Sequence, residues 1–500
     1  MALGIILCCM AALLPSLMLY FPNMDEIPFT GMLPFFGIMT AVGLLAWGVM
    51  YLITRRKGLA AVAAALCLLV LLNVGRLVPY IHDYYPLIGL KVILPVVLVI
   101  LAAAVFGFSR LKEEFLNDAA KVLCLALAAF LLTTAVPQFF RGNEPEEDPA
   151  EAVVAEYDLT PAEGADRPNI YWIISDEYAG LEELDKYYHY DNSPFYNTLR
   201  SMGFAVSDNS HNWSSNTFNV LLDTLSLRYV RAPRLIREKE EALSNRDLPM
   251  LAILRKLGYE VCEAESTNKF HFTNRLKKEI TDTSPRTADG KAVANLLLEY
   301  SILYRYEKDI LRRVAPELVA ASGREAIENV FAWAKDPASA RIPGPNFTVI
   351  YVQSPHAPFL FDREGNEVPD EKHLEKREKQ YYLDQLVYVT GQLRQICENI
   401  IAEDPDSIIV LQSDHGHRFV ANVTWLDLTN VMNAVYFRGQ AFEGIDGRNM
   451  LNTWIAVLRK QFGLDIPEAE EKRMKNEYRV DQWDPESENP NEGLIDAPQL

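Results

Sequence analysis

Residues 407–417 read SIIVLQSDHGH, a run of β-favouring apolar residues that ends abruptly in Asp414-His415-Gly416-His417. A buried strand often ends in turn residues, and these four could form no more than a turn. They could also be metal ligands at the carboxyl end of a parallel strand, where open α/β sheets place their active sites. This stretch alone leaves both interpretations open, so the other strand-like runs have to be compared with it.

Five further runs have the same strand-like composition: NIYWIIS (169–175), GFAVS (203–207), GYEVCEA (258–264), FTVIYVQS (347–354) and NAVYFRG (433–439). Helical stretches lie between them, such as SPFYNTLRSM (193–202) and LPMLAILRKL (248–257). Strands that alternate with helices predict an α/β fold, with a mainly parallel sheet sandwiched by helices on both faces.

The charges of the 500-residue chain divide it into two parts. Residues 1–140 carry eight Lys/Arg and six Asp/Glu, whereas residues 141–500 carry 40 and 61, a net charge of −21. The first part has the composition of a membrane segment, and the second that of a water-soluble acidic domain. A surplus of acid argues against nucleic acid as a partner, because nucleic acid requires a basic surface.

Five apolar runs in the first part are long enough to cross a bilayer, which takes about 20 residues each. They are Ala2–Phe21, Gly31–Thr54, Gly58–Ile81, Leu87–Phe108 and Ala119–Phe140. Basic links are retained in the cytoplasm. Arg55-Arg56-Lys57 follows the second run, and Arg110 and Lys112 precede the fifth, so these two links are expected inside. The amino terminus is then inside as well, and residues 141–500 are extracytoplasmic.

The first run could instead be a cleaved signal peptide. It lacks a basic segment before its apolar core and an obvious cleavage site, and four more runs follow it, so we expect an uncleaved anchor. The predicted domains are a five-helix transmembrane domain over 1–140, a Glu/Pro/Ala-rich linker over 141–167, an α/β domain over 168–465 and a charged tail over 466–500. Of the six cysteines, only Cys262 and Cys397 fall outside the membrane part, and the sequence leaves open whether they pair.

Three of the strand-like runs are followed by residues that can bind metal. Asp176-Glu177 follows the first, Pro355-His356 the fourth along the chain, and Asp414-His415 the fifth. Because parallel neighbours bring their carboxyl ends to one edge of a sheet, these side chains could converge there. Carboxylates mixed with imidazole suit Mn²⁺ or Zn²⁺ better than Ca²⁺, which prefers oxygen ligands alone.

The stretch HNWSSNTFNVLLDTLSLRYV (211–230) follows a strand and opens into a helical pattern, with apolar residues at Leu221, Leu222, Leu225 and Tyr229. A hydroxyl at such a helix amino terminus faces the positive end of the helix dipole and free backbone N–H groups, which is a natural phosphate site. An activated Thr or Ser there could be a nucleophile. Ser214, Ser215 and Thr217 could equally be capping residues.

Four segments carry a family resemblance: PNIYWIISDEYAG (168–180), DNSPFYNTLRSMGFAVSDNSHNWSSNT (191–217), HAPFLFDREGN (356–366) and LQSDHG (411–416). With them, the chain from about Pro168 to Gly439 resembles the sulfatase-like branch of the alkaline phosphatase superfamily. Within that branch it looks like the membrane-anchored group that includes lipoteichoic acid synthases and lipid A phosphoethanolamine transferases, and the five spans match that group too.

The resemblance implies roles for eight residues. The metal ligands would be Asp176, Thr217, Asp414 and His415, with Glu177 as a rival to Asp176. Thr217 would be the nucleophile, and His356 would contact the phosphoryl group or a second metal. Asn212, His417 and Arg418 are candidates for substrate contacts. Val220 stands where related sequences often carry Ser, and neither external cysteine lies in the CxPSR-like setting that true sulfatases need.

The implied function is a metal-dependent transferase that moves a phospho-substituent, such as glycerol phosphate or ethanolamine phosphate, from a membrane lipid to a cell-surface glycan or lipid. The cofactor would be Mn²⁺ or Zn²⁺, with Mg²⁺ as an option. A membrane-anchored phosphodiester or sulfate-ester hydrolase is the alternative enzyme, and a catalytically inactive membrane scaffold the alternative of another class. Arg76 and Lys91, beside His82 and Asp83, could hold an anionic lipid head group, or could simply snorkel to the interface.

Overall fold

The structure is a computed structural model that describes residues 2–21, 29–76, 78, 81, 90–141, 166–230, 248–266, 297–298, 300–302, 323–336, 344–369, 379–418 and 423–469. The chain divides into two compact units. One comprises Met1–Glu146, Asn274–Lys278 and Arg286–Ala320, and the other Glu147–Thr273, Glu279–Pro285 and Ala321–Leu500. Residues 142–165 of the predicted linker and 470–500 of the predicted tail lie outside the described residues, and the predicted division into domains stays a prediction.

The first unit contains five long apolar helices: α1 Ala2–Tyr20, α2 Phe29–Thr54, α3 Lys57–Leu71, α4 Leu90–Ser109 and α5 Glu113–Arg141. All five are long and apolar enough to cross a membrane, and the third candidate span continues to Arg76. The five predicted spans of a multi-pass membrane protein are therefore confirmed.

Small residues let the first three helices approach closely. The alanines of α3, such as Ala60, Ala61 and Ala64, are buried. A Cβ added to Gly43 of α2 would lie 2.8 Å from the carbonyl oxygen of Cys8 in α1. Close backbone approach through small residues is the usual way in which membrane helices pack, because lipid gives them no hydrophobic driving force.

The two basic links meet at one end of this unit. The Arg56 guanidinium donates to the carbonyl oxygen of Ser109 at 2.7 Å and lies 3.2 Å from Oε2 of Glu113. Glu113 also accepts a hydrogen bond from the backbone N–H of Gly58. The links after α2 and α4 therefore lie on the same side, as the predicted topology requires.

A segment distant in sequence packs on the same helices. Leu297 is buried beside Leu19 and Met32. The Tyr300 ring lies 3.9 Å from the Arg76 guanidinium, and the Gly75 N–H donates to the Tyr300 carbonyl at 2.9 Å. Arg76, a candidate for lipid head groups, thus has an aromatic neighbour. The side chain of Lys91, and His82 and Asp83, lie outside the described residues.

The second unit is built on a six-stranded sheet of β1 Ile170–Ser175, β2 Ala205–His211, β3 Glu260–Glu265, β4 Asn346–Val352, β5 Ile408–Ser413 and β6 Asn430–Phe437. The strand order is β2-β6-β5-β1-β4-β3. Strands β3, β4, β1 and β5 are parallel neighbours, and β6 runs antiparallel to both β5 and β2. The predicted mainly parallel sheet is confirmed.

Helices cover both faces of this sheet: α6 Ser193–Ser201, α7 Thr217–Leu225, α8 Pro249–Lys256, α9 Arg324–Ala334, α10 Lys379–Glu403 and α11 Met450–Phe462. One face packs on α7, α8 and α11, where the rings of Trp172 and Trp454 lie 5.2 Å apart. The other face packs on α9 and α10. Both faces of the central strands are buried, which explains their continuous apolar runs.

The end of helix α7 differs from the sequence prediction, and the structure answers whether the two cysteines of this unit pair. Helix α7 ends at Leu225, and Leu227 has a left-handed φ of 53°, so Tyr229 does not continue the helix as its spacing suggested. Cys262 and Cys397 are both buried and form no disulfide. The core of this unit is therefore held without a cross-link between its two cysteines.

Candidate metal and nucleophile site

The parallel pairing of β1 and β5 sets the two aspartates side by side. Ser175, the last residue of β1, is in register with Ser413, the last residue of β5. Asp176 and Asp414 follow directly. The Oδ1 atom of Asp414 accepts a hydrogen bond from the backbone N–H of Glu177 at 3.0 Å, which ties the two strand ends together.

Asp176, Asp414 and His415 form a compact set of three buried ligands. Each offers one ligand atom, and these atoms all lie within 4.8 Å of one another. The Nε2 atom of His415 is 3.6 Å from Oδ1 of Asp176 and 3.5 Å from Oδ2 of Asp414. The Nδ1–H group of His415 donates to the carbonyl oxygen of Gly416 at 2.8 Å, which leaves the Nε2 lone pair directed at the carboxylates.

The charges of this set fit a divalent cation. The Oδ2 atom of Asp414 is buried and has no hydrogen-bond partner among the described residues. Burial and the neighbouring Asp176 carboxylate raise the pKa of Asp414 well above its ordinary value, because loss of water and a like charge both disfavour its ionised form. Burial also lowers the pKa of His415 and keeps its imidazole neutral, the form that binds metal.

Thr217 brings a hydroxyl to the same place. It is the first residue of α7, and the cap is Asn216, whose side chain accepts from the backbone N–H of Asn219 at 3.2 Å. Ser214 accepts from the N–H of Asn216 at 3.2 Å. The Thr217 hydroxyl is thus not the cap of α7, and its Oγ1 lies 3.5 Å from Nε2 of His415.

A second cluster adjoins the metal set. Arg418 donates to Oε1 of Glu177 from its backbone N–H at 3.0 Å and from Nε at 3.3 Å. Its Nη2 lies 2.9 Å from Nε2 of His356 and its Nη1 3.5 Å from the carbonyl oxygen of Ser215. Burial alone would raise the pKa of Glu177, but His356 and Arg418 hold it well below its usual range.

Glu177 therefore stands beside the metal set, as the partner of an arginine, and its backbone is held at a left-handed φ of 64°. Such a conformation in a non-glycine residue persists only where surrounding contacts impose it. The contacts favour Asp176 over its rival Glu177 as the first metal carboxylate.

His417 and Asn212 are engaged by the protein itself. The His417 ring stacks on Tyr382 at 4.0 Å and contacts the Tyr188 hydroxyl. Burial lowers the pKa of His417 to about 4. The Asn212 amide donates to the carbonyl oxygen of Asp414 at 2.7 Å, and its Oδ1 accepts from the Met450 N–H at 3.0 Å. Both residues therefore support the fold around the site through these contacts. That they also contact substrate stays a prediction.

Two supporting residues gave no signal in the sequence. Tyr351, within β4, donates from its hydroxyl to Oδ2 of Asp176 at 2.5 Å. Glu183, in a helical turn after β1, accepts at Oε1 from the backbone N–H of His417 at 2.9 Å. Neither residue comes directly after the end of a strand, and each contacts a partner that is distant in sequence.

No family model matches the chain, and no curated protein sequence matches it. Solved structures that it matches include the C-terminal periplasmic domain of EptC from Escherichia coli in complex with Zn, at 15% identity over 68% of this chain and 96% of that chain, with a TM-score of 0.39. The integral membrane lipooligosaccharide phosphoethanolamine transferase EptA from Neisseria meningitidis matches at 12% identity over 95% and 97%, with a TM-score of 0.39. The lipoteichoic acid synthase LtaP from Listeria monocytogenes matches at 13% over 64% and 78%, with a TM-score of 0.37. These proteins are of the kinds that the sequence resembles; with TM-scores below 0.5 the likeness carries no argument about activity, which rests on the side chains.

Proposed function

We propose that the protein is a membrane-anchored, metal-dependent transferase that moves a phospho-substituent from a membrane lipid to a cell-surface glycan or lipid. One observation carries the proposal: the Thr217 hydroxyl, not used as a helix cap, lies beside the buried set of Asp176, Asp414 and His415. A nucleophile, a cation site and a helix amino terminus thus meet at one point, which is the arrangement that phosphoryl-type transfer needs.

Asp176, Asp414 and His415 would hold Mn²⁺ or Zn²⁺, with Mg²⁺ as an option, and the ion would supply Lewis acidity that lowers the pKa of the Thr217 hydroxyl and offsets the charge of the phosphate. Thr217 loses its proton to solvent and its Oγ1 forms a bond to phosphorus, while the bond from phosphorus to the lipid oxygen breaks. The acceptor hydroxyl, amine or water then forms a bond to phosphorus from the side opposite Thr217, while the bond from phosphorus to Oγ1 breaks; the acceptor loses a proton to solvent, and Oγ1 regains one from solvent. Two in-line displacements give net retention at phosphorus.

Arg418 and His356 supply the charge chemistry around the phosphate. His356 donates from Nδ1 to the Ala357 carbonyl, and its Nε2 accepts from Arg418. A phosphate that attracts the Arg418 guanidinium would compete for that donor and free Nε2 of His356. The freed Nε2 can relay a proton from solvent to the leaving lipid oxygen, while Arg418 stabilises the charge that develops on phosphate.

The five membrane helices support a lipid as donor or acceptor, and the positions of the basic links put the catalytic unit on the extracytoplasmic side. A phosphodiester or sulfate-ester hydrolase remains the alternative activity, since water can replace the acceptor at the same site. An inactive scaffold is the alternative of another class, and the complete Asp-Asp-His-Thr set argues against it.

The test uses the purified full chain in detergent, with Mn²⁺ or Zn²⁺ and a labelled bacterial lipid extract. Peptide mass spectrometry would look for a covalent adduct, and chromatography for released label. We expect an adduct on Thr217 that is absent in Thr217→Ala, with a mass that identifies the transferred group. Thr217→Ser, which keeps a hydroxyl, is the matched control and should retain a weaker signal.

The outcomes separate the three candidates. An adduct together with label moved to an acceptor supports the transferase. Release of label to water alone supports the hydrolase. Neither adduct nor release, with the metal shown to bind, would leave the scaffold as the surviving interpretation.

A further inference from the structure

The backbone N–H groups of residues 415–418, in the loop after β5, each donate a hydrogen bond. Those of residues 415 and 416 donate to Oδ1 of Asp414 at 2.9 Å and to the Leu428 carbonyl at 2.7 Å. Those of residues 417 and 418 donate to the carboxylates of Glu183 and Glu177 at 2.9 Å and 3.0 Å. The loop that carries two metal ligands is therefore held by two acids from the segment after β1.

Glu183 also fills the space beside the loop. It is fully buried, and a Cβ added to Gly416 would lie 1.8 Å from its Oε2. That oxygen has no hydrogen-bond partner among the described residues. The backbone of Gly416 does not adopt a positive φ, so the carboxyl group of Glu183 is the main obstacle to a side chain at this position.

The position of Glu183 is fixed independently of the metal set. The Asn430 side chain, at the start of β6, accepts from the backbone N–H of Glu182 at 3.1 Å. The Gly180 N–H donates to the Asn430 carbonyl at 3.0 Å. The helical turn Leu181–Glu183 is thus anchored to the sheet, and Glu183 transmits that anchor to the loop.

We infer that Glu183 is a positioning residue that holds the loop 414–418, and with it Asp414 and His415, in the geometry that binds the metal. The inference rests on the metal site of the proposed function. Glu183 touches the loop backbone and no ligand atom of the metal set, so its effect reaches the metal through the peptide groups of residues 416 and 417. Residues that orient metal ligands from outside the ligand set commonly change metal affinity when they are removed.

Two variants separate the loss of the acid group from the loss of the hydrogen bond. Glu183→Gln keeps an oxygen that can accept from the His417 N–H and keeps the volume, whereas Glu183→Ala removes both. The measurement is the Mn²⁺ affinity of the full chain in detergent, by calorimetry and by the electron paramagnetic resonance of free Mn²⁺, beside the thermal unfolding midpoint without metal. We expect Glu183→Ala to weaken Mn²⁺ binding by about 10-fold and Glu183→Gln to stay near wild type.

A third variant tests the contact itself. Gly416→Ala should weaken Mn²⁺ binding in the wild-type chain, because its Cβ meets the Glu183 carboxyl. In Glu183→Ala the closest remaining atom near the added Cβ is the Asp427 carbonyl oxygen at 3.3 Å, so adding Gly416→Ala should cause little further loss, and the two effects should be far from additive. If Gly416→Ala alone does not fold, recovery of a monodisperse protein in the double variant gives the same result.

The inference is overturned if Glu183→Ala binds Mn²⁺ as wild type does, or if it lowers only the metal-free unfolding midpoint. Additive losses in the double variant would also overturn it. Wild-type protein that binds neither Mn²⁺ nor Zn²⁺ would remove the metal from the proposed function and the inference together. Wild-type binding with an unaffected Glu183→Ala would remove the inference alone.

Discussion

Asp427 is a buried carboxylate with several hydrogen-bond donors around it. Its side chain accepts from Lys186 Nζ at 2.8 Å, from the Tyr187 hydroxyl at 2.6 Å and from the backbone N–H of Thr424 at 2.9 Å. Burial would raise its pKa, but these donors outweigh burial and lower the pKa to about 2. Asp427 thereby joins the segment after β1 to the helical turn Trp425–Leu428, where Thr424 is the N-cap and Asp427 completes the capping box.

A folded-state pKa below the ordinary value means that the Asp427 contacts stabilise the protein above about pH 4, the ordinary carboxyl value. That stability is lost as the pH falls through about 2. We expect Asp427→Asn to cost roughly 1 kcal/mol at pH 7, since Lys186 is half exposed and screened. Thermal unfolding of both proteins in detergent from pH 7 to pH 3 checks this. A difference between them that grows toward low pH would contradict it.

The candidate site residues could be predicted from the sequence where the local sequence pattern determines their position in the fold. Asp176, Asp414 and His415 directly follow apolar runs, and parallel pairing then brings them together. Glu183 and Tyr351 could not be found in this way, because their roles depend on partners more than 170 positions away. Glu183 is fully buried, and tertiary contacts set this burial, which cannot be read from a single acidic residue in a polar stretch.

Two glycines of the second unit, Gly180 just before a helical turn and Gly391 within α10, have opposite surroundings. At Gly180, a Cβ would lie 2.1 Å from Oδ1 of Asn430, although its φ of −74° suits any residue. At Gly391, in the middle of α10, a Cβ would meet nothing within 4 Å. The first glycine is required by a close approach, and the second only weakens its helix.

We expect Gly391→Ala to stabilise the protein by about 1 kcal/mol, since alanine is the better helix former. Gly180→Ala should destabilise it, because Asn430 must move and release the helical turn that carries Glu183. Thermal unfolding midpoints of the two variants against wild type test the pair. A stabilising Gly180→Ala would show that Asn430 has room to move.

The positions of the strands along the chain could be predicted, because each buried strand is a short continuous apolar run. The order of the strands in the sheet could not be predicted. The order depends on pairings between strands far apart in sequence, such as β1 with β5. Strand β2 extends to His211, beyond the predicted 203–207, because it pairs with β6 across an irregularity between Ser207 and Ser210. Its last residues are polar, so only the partner strand identifies them as β-structure.

Metal binding should be visible in the stability of the whole second unit. Two buried carboxylates without a cation destabilise the fold, and a ligand that binds only the folded state stabilises it by mass action, by about 2.7 kcal/mol at 100 times its Kd. We therefore expect Mn²⁺ to raise the unfolding midpoint of metal-stripped protein and a chelator to reverse the rise. Asp414→Asn, which removes one ligand charge, should respond much less. If Mn²⁺ raised the unfolding midpoint of Asp414→Asn as much as that of wild type, the ion would bind at a site that does not include Asp414.

The orientation of the whole chain follows from where its basic links lie, and it is open to direct measurement. Lys112, in the link between α4 and α5, is exposed and is expected inside, whereas Glu364, in an exposed turn of the second unit, is expected outside. In spheroplasts, a membrane-impermeant maleimide should label Glu364→Cys at once and Lys112→Cys only after permeabilisation, with wild type giving the background of its native cysteines. Labelling of Lys112→Cys in intact spheroplasts, with Glu364→Cys protected, would put the Thr217 site in the cytoplasm, away from any cell-surface acceptor. A transferase acting on the cell surface requires immediate labelling of Glu364→Cys and protection of Lys112→Cys. Five crossings separate the amino terminus from the second unit, so this unit lies outside only if the amino terminus lies inside.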